Sequence, residues 1–239
     1  MPPQRIAELL ARSRPLICAH RVNTRARLLR VLPYAPHMIE LDVNTVGKSL
    51  VAMHGVAQPP LRNPIARAIV AEVERLIVGD PHKPVSLREL LEGLEGVALW
   101  LDVKKRGVCV RAVEEVYRVC NPSAVALSTA FYPELKTLKR EHPEVAAFLG
   151  NVSFYPPSPS IALEVDADGI SIEYHYLDRD LVEMMHGADL LVAAWTVNDE
   201  QDMESVVRLG IDILITDFPD VAREVMERLS RGHSVLESW

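Results

Sequence analysis

The chain has 239 residues, of which 49% are hydrophobic and 25% charged, which is enough apolar material for a large core and argues against disorder. A formal net charge of −7 argues against a general nucleic-acid binder. No apolar run approaches the roughly 18 residues that span a bilayer, and the first residues lack the apolar core of a secretory signal. We therefore expect a globular cytoplasmic protein with no transmembrane segment and no nucleic-acid partner.

Short apolar runs alternate with amphipathic stretches along almost the whole chain, a pattern typical of repeated βα units. The apolar runs predict eight strands: Leu16 to His20, Met38 to Val43, Val97 to Val103, Ala124 to Thr129, Asn151 to Tyr155, Ile170 to His175, Leu190 to Val197, and Ile211 to Thr216. The clearest helices are predicted at Val108 to Cys120, Asp178 to His186, Asp199 to Leu209, and Val221 to Leu229.

This order of elements predicts the α/β class and a closed parallel (β/α)8 barrel, also called a TIM barrel. A glycine-rich phosphate loop that opens a helix is absent, which disfavours a nucleotide-binding open sheet. A short apolar run, Ser49 to His54, follows the second strand, and an insertion covers about residues 55–85, with one helix near Ile65 to Leu76. We expect residues 1–239 to form one domain, with this insertion over the barrel mouth.

The first 30 residues are strongly basic, with seven arginines and a single acid, Glu8. One interpretation is a solvated helical face that pairs with acids elsewhere in the fold. The other is a basic rim that attracts an anionic substrate.

Two of the predicted strands carry acids on one face only. Because side chains of a strand point alternately to opposite faces, Glu40 and Asp42 share the face opposite the apolar residues of Met38 to Val43. By the same alternation, Asp102 and Lys104 face the barrel axis. These side chains lie at the carboxyl ends of their strands, where barrel enzymes build their sites.

Three acids that converge inside one barrel need a compensating charge. Ionised carboxylates about 4 Å apart repel each other by about 4 kcal/mol at an effective dielectric constant of about 20. A bound cation is the simplest compensation, and oxygen ligands suit Mg2+ or Ca2+ better than Zn2+. Acids facing water are the alternative, but a parallel strand inside a barrel has no solvated face along its middle. Glu40, Asp42 and Asp102 are therefore predicted to bind one divalent cation.

His20 ends the first predicted strand and His54 ends the short run after the second, so both are expected at the same mouth. An imidazole takes or gives a proton near neutral pH, and cleavage of a phosphodiester needs one base and one acid. One histidine at a strand end is more often structural, whereas two beside an acid cluster favour catalysis. The sequence does not assign the base and the acid.

Arg21 and Lys104 can supply the positive charge that grips a phosphate group. Lys104 also has a competing interpretation as a Schiff-base nucleophile, which requires a desolvated amine of low pKa. Because the neighbouring Asp102 favours the charged amine, we expect a phosphate contact instead.

Four short segments stand in a distinctive order along the chain: Ile17 to Arg21, Ile39 to Val43, Trp195 to Asn198, and Ile215 to Asp220. Together they resemble the glycerophosphodiester phosphodiesterase family, in register from about residue 16 to 220. The resemblance implies a barrel enzyme of lipid metabolism that hydrolyses a glycerophosphodiester to an alcohol and glycerol phosphate. The nucleophile is water or the glycerol 2-hydroxyl, and the latter gives a cyclic phosphate.

The resemblance implies the same three metal ligands and the same pair of histidines that the residues themselves suggest. It also implies that Arg21 and Lys104 contact the phosphate. One further residue, Trp195, is implied to line the pocket.

Other segments are similar to the sphingomyelinase D and phospholipase D toxin relatives, which share the barrel and the metal site: His20 to Asn23, His54-Gly55, and Leu101 to Lys104. This similarity implies an alternative, a phospholipase D-like enzyme that acts on lysophospholipids at a membrane surface and releases a cyclic phosphate. A third alternative is a barrel that binds a phosphorylated ligand without turnover. The expected partner is a small glycerophosphodiester or a lysophospholipid, and peripheral membrane contact and the oligomeric state stay open.

Overall fold

The computed structural model describes residues 2–55, 84–156 and 158–236. The strands of this part are β1 (Leu16–Ala19), β2 (Met38–Val46), β3 (Ser49–Ala52), β4 (Val85–Ser86), β5 (Ala98–Val103), β6 (Val125–Thr129), β7 (Ala146–Val152), β8 (Gly169–Glu173), β9 (Leu191–Trp195) and β10 (Ile213–Thr216). Its α-helices are α1 (Gln4–Arg12), α2 (Arg25–Val31), α3 (Leu87–Leu91), α4 (Cys109–Val119), α5 (Pro133–Glu141), α6 (Ser160–Glu164), α7 (Arg179–His186), α8 (Glu200–Leu209) and α9 (Pro219–Leu236). The predicted helix near Ile65 to Leu76 lies outside the described residues.

Eight of these strands form a closed parallel barrel. They pair in the order β1, β2, β5, β6, β7, β8, β9 and β10, and β10 pairs again with β1. The predicted (β/α)8 barrel is therefore confirmed. β2 continues beyond the barrel and pairs there with β3 in an antiparallel hairpin, to which β4 adds a third short strand.

The alternation of side chains divides the core into two apolar layers. Residues such as Ile39 and Leu41 point outward and are buried in the layer that includes the helices. Residues such as Met38 and Phe148 point inward and fill the barrel. Ile6 of α1 is fully buried in this inner layer, so α1 closes the amino-terminal end of the barrel. Among the described residues, no helix combines the length and the apolar character needed to cross a bilayer.

The position of α1 divides the basic start of the chain. Arg5 and Arg12 belong to the helix at the amino-terminal end of the barrel, whereas Arg21 and Arg27 follow β1 at its carboxyl end. The first 30 residues therefore do not form one continuous basic rim, and only the arginines that follow β1 lie on the side of the mouth.

The fifth predicted strand is wrong. β7 spans Ala146–Val152, whereas the prediction placed it at Asn151 to Tyr155. Residues Ala146 to Gly150 are buried, while Phe154 and Tyr155 are each 45% exposed and lie in a loop. Aromatic residues near the strand end imitated a strand pattern, because their burial depends on neighbours that the local sequence does not reveal.

Candidate active site

A cavity of about 240 Å³ opens at the carboxyl ends of the barrel strands. Seven of the eight predicted site residues line it: His20, Arg21, Glu40, His54, Asp102, Lys104 and Trp195. The eighth, Asp42, is 1% exposed and contacts the side chains of His54 and Lys104. The structure therefore brings all eight predicted residues together.

Neighbouring strands place the three acids side by side. Glu40 and Asp42 come from β2, and Asp42 is paired in register with Asp102 of β5. One oxygen atom from each carboxylate lies within 4.8 Å of the others. Burial, and then the charges of Asp42 and Asp102, raise the pKa of Glu40 well above its usual value. A bound cation would remove this conflict, so the donor set fits one hard divalent ion.

Lys104 partly balances the acid cluster. Its Nζ contacts Asp102 Oδ2 closely and lies 3.3 Å from Asp42 Oδ1. Burial by itself lowers the pKa of Lys104, but the charges of Asp102 and Asp42 outweigh burial and raise it above its ordinary value. The amine therefore carries its charge at neutral pH, which disfavours a Schiff-base nucleophile.

Asp42 is held by hydrogen bonds from two sides. Asn23 donates from Nδ2 to Asp42 Oδ2 at 2.7 Å and accepts the backbone N–H of Asp42 at 2.9 Å. His54 Nδ1 lies 3.2 Å from Asp42 Oδ2. Burial raises the pKa of Asp42, but the bond from His54 and the charge of Lys104 outweigh it, so the pKa lies below its usual range. Asp42 is therefore ionised and fixed in orientation.

A chain of hydrogen bonds also fixes Asp102. The indole Nε1–H of Trp100 donates to Ser128 Oγ at 3.0 Å, and Ser128 Oγ donates to Asp102 Oδ1 at 3.1 Å. An indole N–H can only donate, so the Ser128 hydroxyl oxygen is the acceptor of this bond. The hydroxyl is then free to donate its own proton to Asp102. Both oxygens of Asp102 are thereby held, Oδ1 by Ser128 and Oδ2 by Lys104.

His20 is held by Asp217, the residue that follows β10. His20 Nδ1 lies 3.0 Å from Asp217 Oδ1, and Asn198 Nδ2 donates to the other oxygen at 2.8 Å. Burial raises the pKa of Asp217, but the bond and the charge of His20 outweigh it and lower the pKa to about 2. The carboxylate is thus ionised, and His20 Nε2 faces the cavity, 3.5 Å from Thr196 Oγ1.

No local pattern in the sequence assigns a site role to Asn23, Ser128, Asn198 or Asp217. Asn198 and Asp217 lie in two of the four segments that carry the family resemblance, but the sequence does not show which residues they contact. Asp199 caps α8, and the neighbouring Asn198 donates to Asp217 instead. Each of these side chains acts on a residue from another strand, which no local pattern reveals.

Arg21 connects the second histidine to the acid cluster. Its Nη2 lies 3.0 Å from His54 Nε2, so that Nε2 accepts and Nδ1–H points to Asp42. Its backbone N–H donates to Glu40 Oε2 at 2.5 Å. The backbone of Arg21 has a φ of 51°, which is uncommon outside glycine and concentrates at functional sites.

Two buried donors near the cavity have no acceptor among the described residues. They are Nε of Arg21 and the indole Nε1 of Trp195. Both residues line the cavity. Since an unpaired buried donor is costly, both are suited to an acceptor that a ligand supplies.

Comparison with known proteins agrees with this geometry. Residues 97–221, just over half of the chain, match the model of the glycerophosphoryl diester phosphodiesterase family. YhdW of Bacillus subtilis (strain 168), which is named as a glycerophosphodiester phosphodiesterase, is 21% identical over 217 residues, covering 83% of this chain and 89% of that protein.

Solved structures share the fold. A glycerophosphoryl diester phosphodiesterase from Silicibacter pomeroyi is similar with a TM-score of 0.73 and 17% identity, covering 95% of this chain and 98% of that one. A phosphodiesterase from Oleispira antarctica, in complex with the product sn-glycerol-3-phosphate, is similar with a TM-score of 0.71 and 21% identity, covering 91% of this chain and 99% of that one. By its matched residues and its barrel, this chain belongs to the glycerophosphoryl diester phosphodiesterase family.

Proposed function

We propose that this protein hydrolyses small glycerophosphodiesters, giving an alcohol and glycerol phosphate, in the cavity at the barrel mouth. Family membership supports the reaction class. The observation that carries the proposal is the meeting of three carboxylates and two histidines around one cavity of about 240 Å³. That volume suits a phosphate with small substituents, and glycerol phosphate occupies the related Oleispira antarctica protein.

Glu40, Asp42 and Asp102 hold one divalent cation in this proposal, Mg2+ or Ca2+. The support is their close approach and the burial of Glu40 and Asp42, together with the raised pKa of Glu40. When bound, such a cation neutralises charge that develops on the phosphate oxygens.

His20 serves as the base and His54 as the acid. Asp217 accepts the Nδ1–H of His20 and, being ionised, stabilises the positive charge that the ring gains on taking a proton. His54 acts as the acid in its doubly protonated form, in which Nδ1–H stays with Asp42 and Arg21 Nη2 turns from Nε2 to the phosphate. The proton of the nucleophile goes to His20, and His54 gives its Nε2 proton to the leaving oxygen.

Three further residues bind the substrate. Arg21 and Lys104 offer positive charge to the phosphate, and Arg21 Nε has no acceptor among the described residues. Trp195 contributes its ring to the wall and an unpaired buried N–H to an oxygen of the ligand. Because substrate supplies the missing acceptors, binding removes a desolvation cost that the free site carries.

A second candidate is a phospholipase D-like reaction on lysophospholipids that yields a cyclic phosphate. Exposed aromatic side chains favour it: Phe154 and Tyr155 follow β7 and Phe218 follows β10, all at the carboxyl end of the barrel, where the cavity opens. Their exposed fractions are 45%, 45% and 48%. Such side chains are suited to contact an acyl chain or a lipid surface.

Phosphorus NMR of the purified protein with Mg2+ distinguishes these functions. Glycerophosphocholine and lysophosphatidylcholine are supplied in separate samples. Glycerol phosphate from the first supports the proposal, and a cyclic phosphate from the second supports the alternative. Spectra that stay unchanged for both substrates, with Mg2+ and with Ca2+, would contradict both functions and would favour a barrel without turnover.

The assignment of the histidines predicts different responses to the leaving group. His20→Ala and His54→Ala should each lower kcat with glycerophosphocholine by at least about 100-fold. With a p-nitrophenyl phosphodiester, whose leaving group needs no proton, His54→Ala should recover most of its activity and His20→Ala should not. Steady-state kinetics measures both, and recovery by His20→Ala alone would reverse the assignment.

A further inference from the structure

A second cavity, which we call the basic cavity, lies outside the barrel between the β2–β3 hairpin and α4. Its volume is about 350 Å³. Four cationic side chains line it: Lys48, Arg88, Arg111 and Arg118. Among the described residues of its lining there is one acid, Glu115. This excess of positive charge stands in a chain whose net charge is −7, so the overall composition does not account for it.

Glu115 holds two of these arginines in place. Its Oε1 accepts from Arg88 Nε at 2.9 Å and its Oε2 accepts from Arg118 Nη1 at 2.5 Å. The carboxylate is 13% exposed, whereas the two arginine side chains are 54% and 59% exposed. One largely buried acid thus orders two guanidinium groups, and their other N–H groups have no acceptor in the described part of the chain.

Arg111 and Lys48 complete the positive wall. Arg111 Nη2 donates to the backbone carbonyl of Lys48 at 3.0 Å, which ties α4 to the turn of the hairpin. Neither cation has a carboxylate partner among the described residues. Two hydroxyl groups, of Ser49 and Ser86, add neutral donors to the lining.

We propose that the basic cavity binds a phosphate-bearing anion with two or more negative charges, such as a phosphate monoester or a diphosphate. Guanidinium forks match the oxygen geometry of phosphate, and preorganised donors lose little entropy on binding. A cavity of about 350 Å³ lies within the size range of small-molecule sites.

None of the lining residues of the basic cavity lines the barrel cavity, so the two sites are separate. The inference does not depend on the proposed function. It places a bound anion against the hairpin whose next residues lead to His54.

Calorimetry with sodium pyrophosphate tests this site on metal-free protein at about 0.15 M ionic strength. The double variant Lys48→Gln/Arg111→Gln should bind at least about tenfold more weakly than the unchanged protein. The control, Lys136→Gln/Arg140→Gln, removes the same charge from the exposed face of α5 and should bind normally. Both variants spare Glu115 and the arginines that it orders.

Pyrophosphate also meets cations in the barrel cavity, so the titration is repeated with Arg21→Gln. If pyrophosphate binds in the basic cavity, the heat of binding should be lost in Lys48→Gln/Arg111→Gln but retained in Arg21→Gln. Equal affinity in the two double variants, or no binding by the unchanged protein, overturns the proposal. Phosphodiesterase activity is measured separately, and its absence would count against the proposed function but not against this site.

The source of the anion is distinguished with vesicles. Phosphatidylcholine vesicles with and without phosphatidic acid are sedimented with each protein. Capture that requires phosphatidic acid and is lost in Lys48→Gln/Arg111→Gln assigns the site to a lipid headgroup. Binding of pyrophosphate without such capture assigns it to a free anion.

Discussion

At the scale of single residues, the orientation of the Asp102 carboxylate depends on an uncharged neighbour, Ser128. Ser128 is 2% exposed and passes a hydrogen bond from Trp100 to Asp102 Oδ1. Residues that orient a metal ligand typically change metal affinity by about 10- to 100-fold when they are removed. Ser128→Ala should therefore weaken Mg2+ or Ca2+ binding by about tenfold in calorimetry.

Two further variants serve as controls for the metal affinity of Ser128→Ala. Ser171→Ala removes a hydroxyl from the same cavity wall without touching Asp102 and should keep normal metal affinity. Asp42→Asn removes a proposed ligand and should lose more affinity than Ser128→Ala. Unchanged affinity in Asp42→Asn would reject that residue as a ligand.

Asp217 makes a contribution to the free energy of unfolding that depends on pH. Its pKa is about 2 in the folded protein against an ordinary value of 3.8, so the ionised carboxylate stabilises the fold. This contribution is complete above about pH 4, and it is lost as the pH falls through about 2. Urea unfolding should show that the difference in unfolding free energy between the unchanged protein and Asp217→Asn shrinks to roughly half between pH 5 and pH 3. A difference that stays constant over this interval would show that the His20 contact does not carry it.

At the scale of elements, strand spacing depends on two glycines that no hydrophobic pattern identifies. A Cβ atom on Gly169, at the start of β8, would collide with the carbonyl oxygen of Leu191 and lie 2.6 Å from a ring carbon of Phe148. A Cβ on Gly150 of β7 would lie 2.7 Å from the backbone nitrogen of Thr129. The barrel therefore requires close approach of backbone at both positions.

Gly169→Ala should lower the free energy of unfolding by about 1–3 kcal/mol, the usual cost of overpacking. Chemical denaturation measures it, with Ser153→Ala in the loop after β7 as the control. An unchanged midpoint for Gly169→Ala would mean that β8 can shift away from β9 at little cost.

The hairpin after β2 shows what local pattern can and cannot predict about an element. The apolar run Ser49 to His54 was visible, and β3 occupies Ser49–Ala52. Its antiparallel pairing was not visible, because it requires β2 to continue to Val46, beyond the residues that the barrel uses. β7 was misplaced for a related reason, since two neighbouring apolar runs compete and tertiary burial selects one of them.

At the scale of the whole molecule, stability and chemistry lie at opposite ends of the barrel. Ile6 of α1 is fully buried against inward residues at the amino-terminal end. Ile6→Ala should destabilise the protein by about 2–5 kcal/mol in chemical denaturation while kcat/KM of the folded protein stays unchanged. Leu29→Ala, at a side chain that is 66% exposed, is the control and should change stability by less than about 0.5 kcal/mol. A large loss of kcat/KM in folded Ile6→Ala would contradict this separation.

The prediction that residues 1–239 form one domain, with an insertion of about 55–85 over the mouth, stays a prediction. Most of the insertion lies outside the described residues. The barrel itself is established by the ring of eight paired strands.

The sequence by itself determined which side chains face the barrel axis. Alternation along a strand is a local property, so the inward direction of Glu40, Asp42 and Asp102 followed from their spacing alone. Only the tertiary structure decided what holds them there. Asp217 reaches His20 across 197 residues because β10 closes the ring against β1, and such pairing depends on the completed barrel rather than on any nearby residues.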